Sequence, residues 1–149
     1  MAPTTGQLTA ANYDFFYSTD GTVFNEISGS STGMAFSGFA LMVGKIHVAD
    51  GPNPILAPGK YEGGQATLRM VYTEVAGEAW RTVQSAWANR TLLYLRAIPK
   101  GTTAGNYRYT TSGYVAVPGW PSVDNVGAQD IVAVEATLEA GTLTVDTVP

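Results

Sequence analysis

The stretch "GQATLRMVYTEVAGEAWRTVQSAWANRTLLYLRAI", residues 64–98, changes hydrophobic period twice, and those changes decide the fold class. Ala66, Leu68, Met70 and Tyr72 alternate with Gln65, Thr67, Arg69 and Thr73, the period of two expected of a half-buried strand. Ala76, Trp80, Val83 and Trp87 then recur at helical spacing, which places an α-helix over about residues 74–89. Thr73 is positioned to cap it, with Glu74 and Glu78 near the positive end of its dipole and Arg90 near the negative end. Trp80, Val83 and Trp87 are its expected core anchors, because burying each large side chain is worth at least roughly 1.5–3 kcal/mol. "TLLYLRAI" follows, apolar on both faces, as suits a strand with the helix on one side.

On either side of this stretch the chain reads as strand and turn. "YDFFYSTDGTVFNEI" is a hairpin signal around Asp20-Gly21, after a polar arm of residues 1–12. "SGSSTG" at 28–33 reads as a connection, and Lys45 to Asp50 as a strand. Beyond residue 98 come "NYRYTTSGYVAV" and "DIVAVEATLEAGTLTV". In the latter, Val132, Val134, Ala136 and Leu138 oppose Glu135, Thr137 and Glu139 before an expected turn at Ala140-Gly141. The architecture that satisfies all of this is mainly β: an antiparallel sandwich or barrel with one helix packed on it, in a single domain spanning 1–149.

Composition excludes several functions. With no cysteine and a single histidine, His47, the chain has neither disulfides nor an imidazole-rich metal site. A net charge of -4 with only 13% charged residues is unlike a protein that binds nucleic acid by neutralising phosphates. The longest strongly apolar run, "FALMV" at 39–43, cannot span a bilayer, so no membrane role is expected. The last basic residue is Arg108, and Asp124, Asp130, Glu135, Glu139 and Asp146 follow it, either as a solvated face or as a purposeful acidic surface.

No catalytic constellation is expected. His47 lies in strand-like sequence without a Gly-x-Ser-x-Gly elbow, and "GFALMVGKI" departs from a phosphate loop in spacing and in Ile46. Glu135 and Glu139 are same-face neighbours of the kind that decorates an exposed strand. No cofactor or metal is implied.

The order of elements, and above all residues 45–73 and 128–145, resembles the major tail tube proteins of long-tailed bacteriophages. That family shares its fold with the tube proteins of contractile tails and type VI secretion. The resemblance implies a structural virion protein without enzymatic activity, closing into hexameric rings that stack into a conduit for genome delivery. It also implies assembly in the host cytoplasm, tape-measure, terminator and tail-tip partners, and double-stranded DNA passing non-specifically through the lumen. Some relatives carry a C-terminal immunoglobulin-like domain, and this sequence is expected to lack one. A chain of this length forms a globule about 38 Å across, and six in a ring leave a hole wide enough for duplex DNA. The acids Asp124, Asp130, Glu135 and Glu139 are candidates for a lumen that repels phosphate.

Ring closure needs heterologous contacts, and "DGPNPILAPGKYEGG" at 50–64 is the candidate inter-subunit loop. Its prolines Pro52, Pro54 and Pro58 argue against regular pairing, while Asp50, Ile55, Leu56, Lys60 and Tyr61 supply contacts. Two alternatives stay open: a monomeric β-sandwich module binding carbohydrate or a host protein through this loop, and a hydrolase with unlocated carboxylates.

Overall fold

The computed structural model describes residues 13–47, 49, 51–121 and 132–149. The 1–12 arm, Asp50, Asp124 and Asp130 lie outside them. Among the described residues nine strands and one helix follow in the order β1 (Asp14–Ser18), β2 (Asn25–Glu26), β3 (Ser31–Ser37), β4 (Leu41–Ile46), β5 (Ile55–Tyr61), β6 (Gly64–Val71), α1 (Ala79–Ala88), β7 (Leu92–Ile98), β8 (Tyr107–Val117) and β9 (Ala133–Thr147). Seven strands form one antiparallel sheet ordered β2-β1-β7-β8-β9-β6-β3, and β4 and β5 form a separate two-stranded sheet.

The large sheet curls until its ends approach. The Ile27 N–H donates to Phe15 O of β1 at 2.8 Å, and Ser30, three residues on, accepts from Val71 N of β6 at 2.8 Å. So short a link holds the β1 and β3 ends of the sheet near one another, as an incompletely closed barrel with a cleft between Tyr13–Phe15 and Ser31–Met34. The alternation in β6 places Ala66, Leu68 and Met70 in the core, and Leu93, Leu95, Ala136 and Leu138 join them from β7 and β9. Helix α1 adds Ala79, Trp80, Val83 and Ala86 to the same cluster.

The helix begins later than its spacing suggested. Gly77 adopts φ 88, a left-handed conformation that breaks the helical path, and Ala76 lies outside the helix and exposed. Thr73 Oγ1 accepts from Val75 N at 3.2 Å in a local turn, so Glu78 is the N-cap residue and makes no side-chain cap bond. At the other end Thr91 N donates to Ala86 O and Arg90 N to Trp87 O, a Schellman closure with Arg90 at φ 54 where glycine is usual. The helix therefore presents residues 79, 80, 83 and 86 to the sheet. Trp87 is rotated out, 42% exposed, with its ring edge-on to Trp120 at 6.0 Å.

Two other expectations change. Ala140-Gly141 is not a turn: β9 runs on through it, with an irregularity in its pairing to β8 between Thr111 and Gly113. The expected strand at Lys45 to Asp50 starts earlier and ends at Ile46. The Asp20-Gly21 hairpin is present, with β1 and β2 joined by a loop that Asp20 organises by accepting from Thr22 N and Val23 N.

The backbone N–H groups of Thr22 and Val23, with the Ser18 hydroxyl, hold the Asp20 carboxyl well below the usual carboxylate range. A depressed pKa stabilises above the unfolded value, about 3.9, and that contribution is lost as pH falls through the folded one. Asp20→Asn should therefore flatten the acid limb of a pH–stability profile while leaving neutral-pH chemical shifts outside residues 18–24 unchanged. Trp80, 5% exposed and tilted at 56° against the Tyr72 ring with centroids 4.6 Å apart, anchors the helix. Denaturant titration should show a loss of about 3–5 kcal/mol for Trp80→Ala and no more than about 1.5 kcal/mol for Trp87→Ala.

Candidate assembly surfaces

The segment read as a loop is half of a hairpin. Ile55, Leu56, Pro58, Lys60 and Tyr61 lie in β5, which pairs with β4 through Ile46↔Ile55, Lys45↔Leu56, Gly44↔Ala57 and Val43↔Pro58. Proline survives there because both strands of a two-stranded ribbon are edges, where one missing donor costs little. Pro52 and Pro54 precede β5 at the ribbon tip.

Every residue of both ribbon strands is exposed. Leu41, Met42, Val43, Ile46, Ile55, Leu56 and Tyr61 thus leave large apolar side chains in water, with Tyr61 77% exposed. An isolated two-stranded hairpin is marginal on its own, and exposed apolar side chains in this number are of the kind that marks an interaction surface. Sequence reasoning located only Ile55, Leu56 and Tyr61 of this surface. Leu41, Met42, Val43 and Ile46 were missed because "LMVGKI", with no polar face, looks like a buried strand.

The ribbon leaves the sheet at a tightly packed root. β3 leads into β4 through Gly38 (φ 83) and Phe39 (φ 45), and β5 leads into β6 through Glu62 and Gly63. Glu62 N donates to Ala40 O at 2.7 Å across the root. A Cβ on Gly38 would lie 2.8 Å from Gly64 Cα, one on Gly63 2.6 Å from Ala140 O, and one on Gly64 would strike the Ser37 carbonyl and the Phe39 ring. Backbone packed this closely fixes the take-off direction.

The second candidate surface was the acidic one. Glu135 forms an ion pair with Arg69, its Oε2 2.6 Å from Nε, and Glu139 accepts from Gln65 Nε2 at 2.7 Å. Both sit on the outer face of the β6–β9 pair, each opposite its partner in the register. Farther along, Arg108 grips Asp146 through Nε and Nη2, both at 2.7 Å, and this bond holds the Asp146 carboxyl below its ordinary range. The outer face of β6, β8 and β9 is a ladder of matched charges, not a purely acidic field. Trp80 and Val83 are buried as expected, and Trp87 is not.

Among the described residues no group of histidines and carboxylates could hold a metal, and no helix is long and apolar enough to cross a membrane.

No family model matches the sequence, and no curated protein matches it. Solved structures do match. A chain of the SPP1 tail tube superposes with a TM-score of 0.67 at 10% identity, covering 95% of this chain and 80% of that one. A chain of the anti-feeding prophage baseplate gives 0.64 at 9% identity, with 99% of each chain covered. A chain of the sheath–tube complex of an extracellular contractile injection system, PVC, gives 0.61 at 16% identity, covering 97% of this chain and 94% of that one. The fold is that of tail tube proteins: a mostly antiparallel β structure with one short helix.

Because the root is backbone against backbone, Gly64→Ala should be felt both in stability and in ribbon direction. We expect a loss of about 1–3 kcal/mol in denaturant titration, the scale of overpacking, together with amide shift changes at Ser37–Phe39 and Ala140.

Proposed function

We propose that this chain is the repeating subunit of a tail tube, closing into rings of six that stack into a conduit for double-stranded DNA. Support comes from the β4–β5 ribbon: a tail-tube fold that holds seven large apolar side chains in water on an element without a core of its own. Such an element gains stability by docking on a further copy, and heterologous docking closes rings or propagates filaments. A carbohydrate module is the weaker reading, since the ribbon strands carry only one aromatic, Tyr61, and such sites rely on aromatic platforms with convergent polar groups.

As a tube subunit the protein acts mechanically. The matched pairs Arg69 with Glu135 and Arg108 with Asp146 leave no unpaired cation in those positions to grip phosphate, so DNA can pass without sequence readout. Tape-measure, terminator and tail-tip proteins are the partners this role requires, and the virion, after assembly in the host cytoplasm, is its location.

Ala40 and Glu62 are hydrogen-bonded across the root, so residues 41–61 can be replaced by a two-residue Asn-Gly turn without stretching the chain. Wild-type protein should form rings or hollow tubes in negative-stain microscopy. The ribbonless variant should keep its near-ultraviolet circular dichroism and unfold cooperatively, yet remain as small particles. Tubes from the ribbonless variant, or none from the wild type, would refute the proposal.

A further inference from the structure

Away from the ribbon a second set of aromatic side chains stands in water. Trp87 lies in the last turn of α1, Tyr114 in β8 and Trp120 just beyond it, and they are 42%, 58% and 63% exposed. A groove of about 630 Å³ runs between Ala86, Trp87, Ala88 and Arg90 on one side and Tyr114 and Val115 on the other. That volume falls among the roughly 300–1,000 Å³ of small-ligand sites.

The two indoles are held in place. Pro118 and Gly119 are buried, and Gly119 (φ 83) is pressed so closely on β9 that a Cβ there would lie 2.9 Å from Glu135 O. This turn sets Trp120 against Trp87 with ring planes 84° apart, so the pair forms a corner rather than a stack.

Arg90 supplies the charge. It occupies a left-handed position, φ 54, where a glycine would be unstrained, and its exposed side chain forms no ion pair among the described residues. A cation complements the dipole from anywhere in the last turn, so the dipole alone does not require the strained position. Aromatic surface beside a polar group suits a ligand with one apolar and one hydroxylated face, a sugar ring, and the planar guanidinium adds two parallel donors for a carboxylate. Nucleic acid fits less well, because it brings a phosphate with every base. The groove offers Arg90 as its only cation, Glu139 lies opposite Tyr114 in the register, and the chain's net charge is -4.

From these observations we infer that the groove between Trp87 and Tyr114 binds a saccharide carrying a carboxylate, with the sugar ring in the corner of Trp87 and Trp120 and the carboxylate on Arg90. This goes beyond the tube reading and does not depend on it, since neither the ribbon nor ring closure enters the site.

Titration calorimetry on the full-length protein, in whatever assembly it forms, tests the assignment with sialyllactose and trigalacturonate against their neutral counterparts, lactose and the methyl ester of trigalacturonate. At least one acid should bind saturably, and its neutral counterpart at least about tenfold more weakly, the smallest effect expected for a lost charged hydrogen bond. Arg90→Gln should erase that difference and Trp120→Ala should abolish binding, while Tyr61→Ala in the ribbon should change nothing. Arg90→Gln, at an exposed position, keeps the test decisive even if Trp120→Ala fails to fold. Binding of neither acid, equal binding of acid and neutral sugar, or tighter binding of a single-stranded DNA oligonucleotide would each overturn the assignment. So would loss of rings or tubes in folded Trp120→Ala protein, because the aromatic pair would then be packing between copies.

Discussion

Helix α1 packs its buried residues against one face of the curled seven-stranded sheet, and the rest of the molecule is arranged by what that packing can and cannot accept. Trp80, Val83, Ala79 and Ala86 meet Leu68, Met70, Leu93, Leu95 and Leu138 in one cluster, which uses one face of β6, β7, β8 and β9. A domain with one helix can cover only one patch of sheet. The hairpin β3–β6 is longer than that patch, so its distal half has no interior to join, and its apolar residues are stranded at the surface. Exposure of the ribbon follows from the geometry of the core rather than from any special property of the ribbon sequence.

The outer face of the sheet is built on different chemistry. Cross-strand pairs there are ionic or amide–carboxylate: Arg69 with Glu135, Gln65 with Glu139, Arg108 with Asp146, while Arg96 donates to Thr110 and stacks over Phe24 at 3.5 Å. Exposed pairs of this kind add little stability each, but they fix register, since a slip of one residue would face these charges toward the core. Apolar burial on one side and charge matching on the other therefore specify the same alignment of strands.

Much of this was legible in the sequence where local periodicity and final environment agree. Ala66, Leu68 and Met70, or Val134, Ala136 and Leu138, alternate because a single face is buried, and both runs are core strands. Reading failed where tertiary pairing overrides local signals. The spacing of Ala76, Trp80, Val83 and Trp87 pointed to a helix from about residue 74, yet the left-handed backbone of Gly77 delays its start to Ala79, and Trp87 in its last turn is exposed beside Trp120. Pro58 argued for a loop, although a strand whose outer edge is free accommodates a missing donor. Acids at 135 and 139 looked like a field because their partners, Arg69 and Gln65, lie far away in sequence and meet them only through the register of β6 with β9.

The hydrogen bond between Glu62 and Ala40 makes the two ends of the ribbon neighbours. A segment that enters and leaves a fold at one point is separable from it, so the residues that shape the core and those of the ribbon are under independent packing constraints. Substitutions in the ribbon need not disturb the packing around Trp80, because no ribbon residue belongs to that cluster. Chains with identities of 9–17% superpose over 95–99% of this one. Ribbon and barrel are joined only through the backbone of the root, and either can change in sequence without forcing a change in the other.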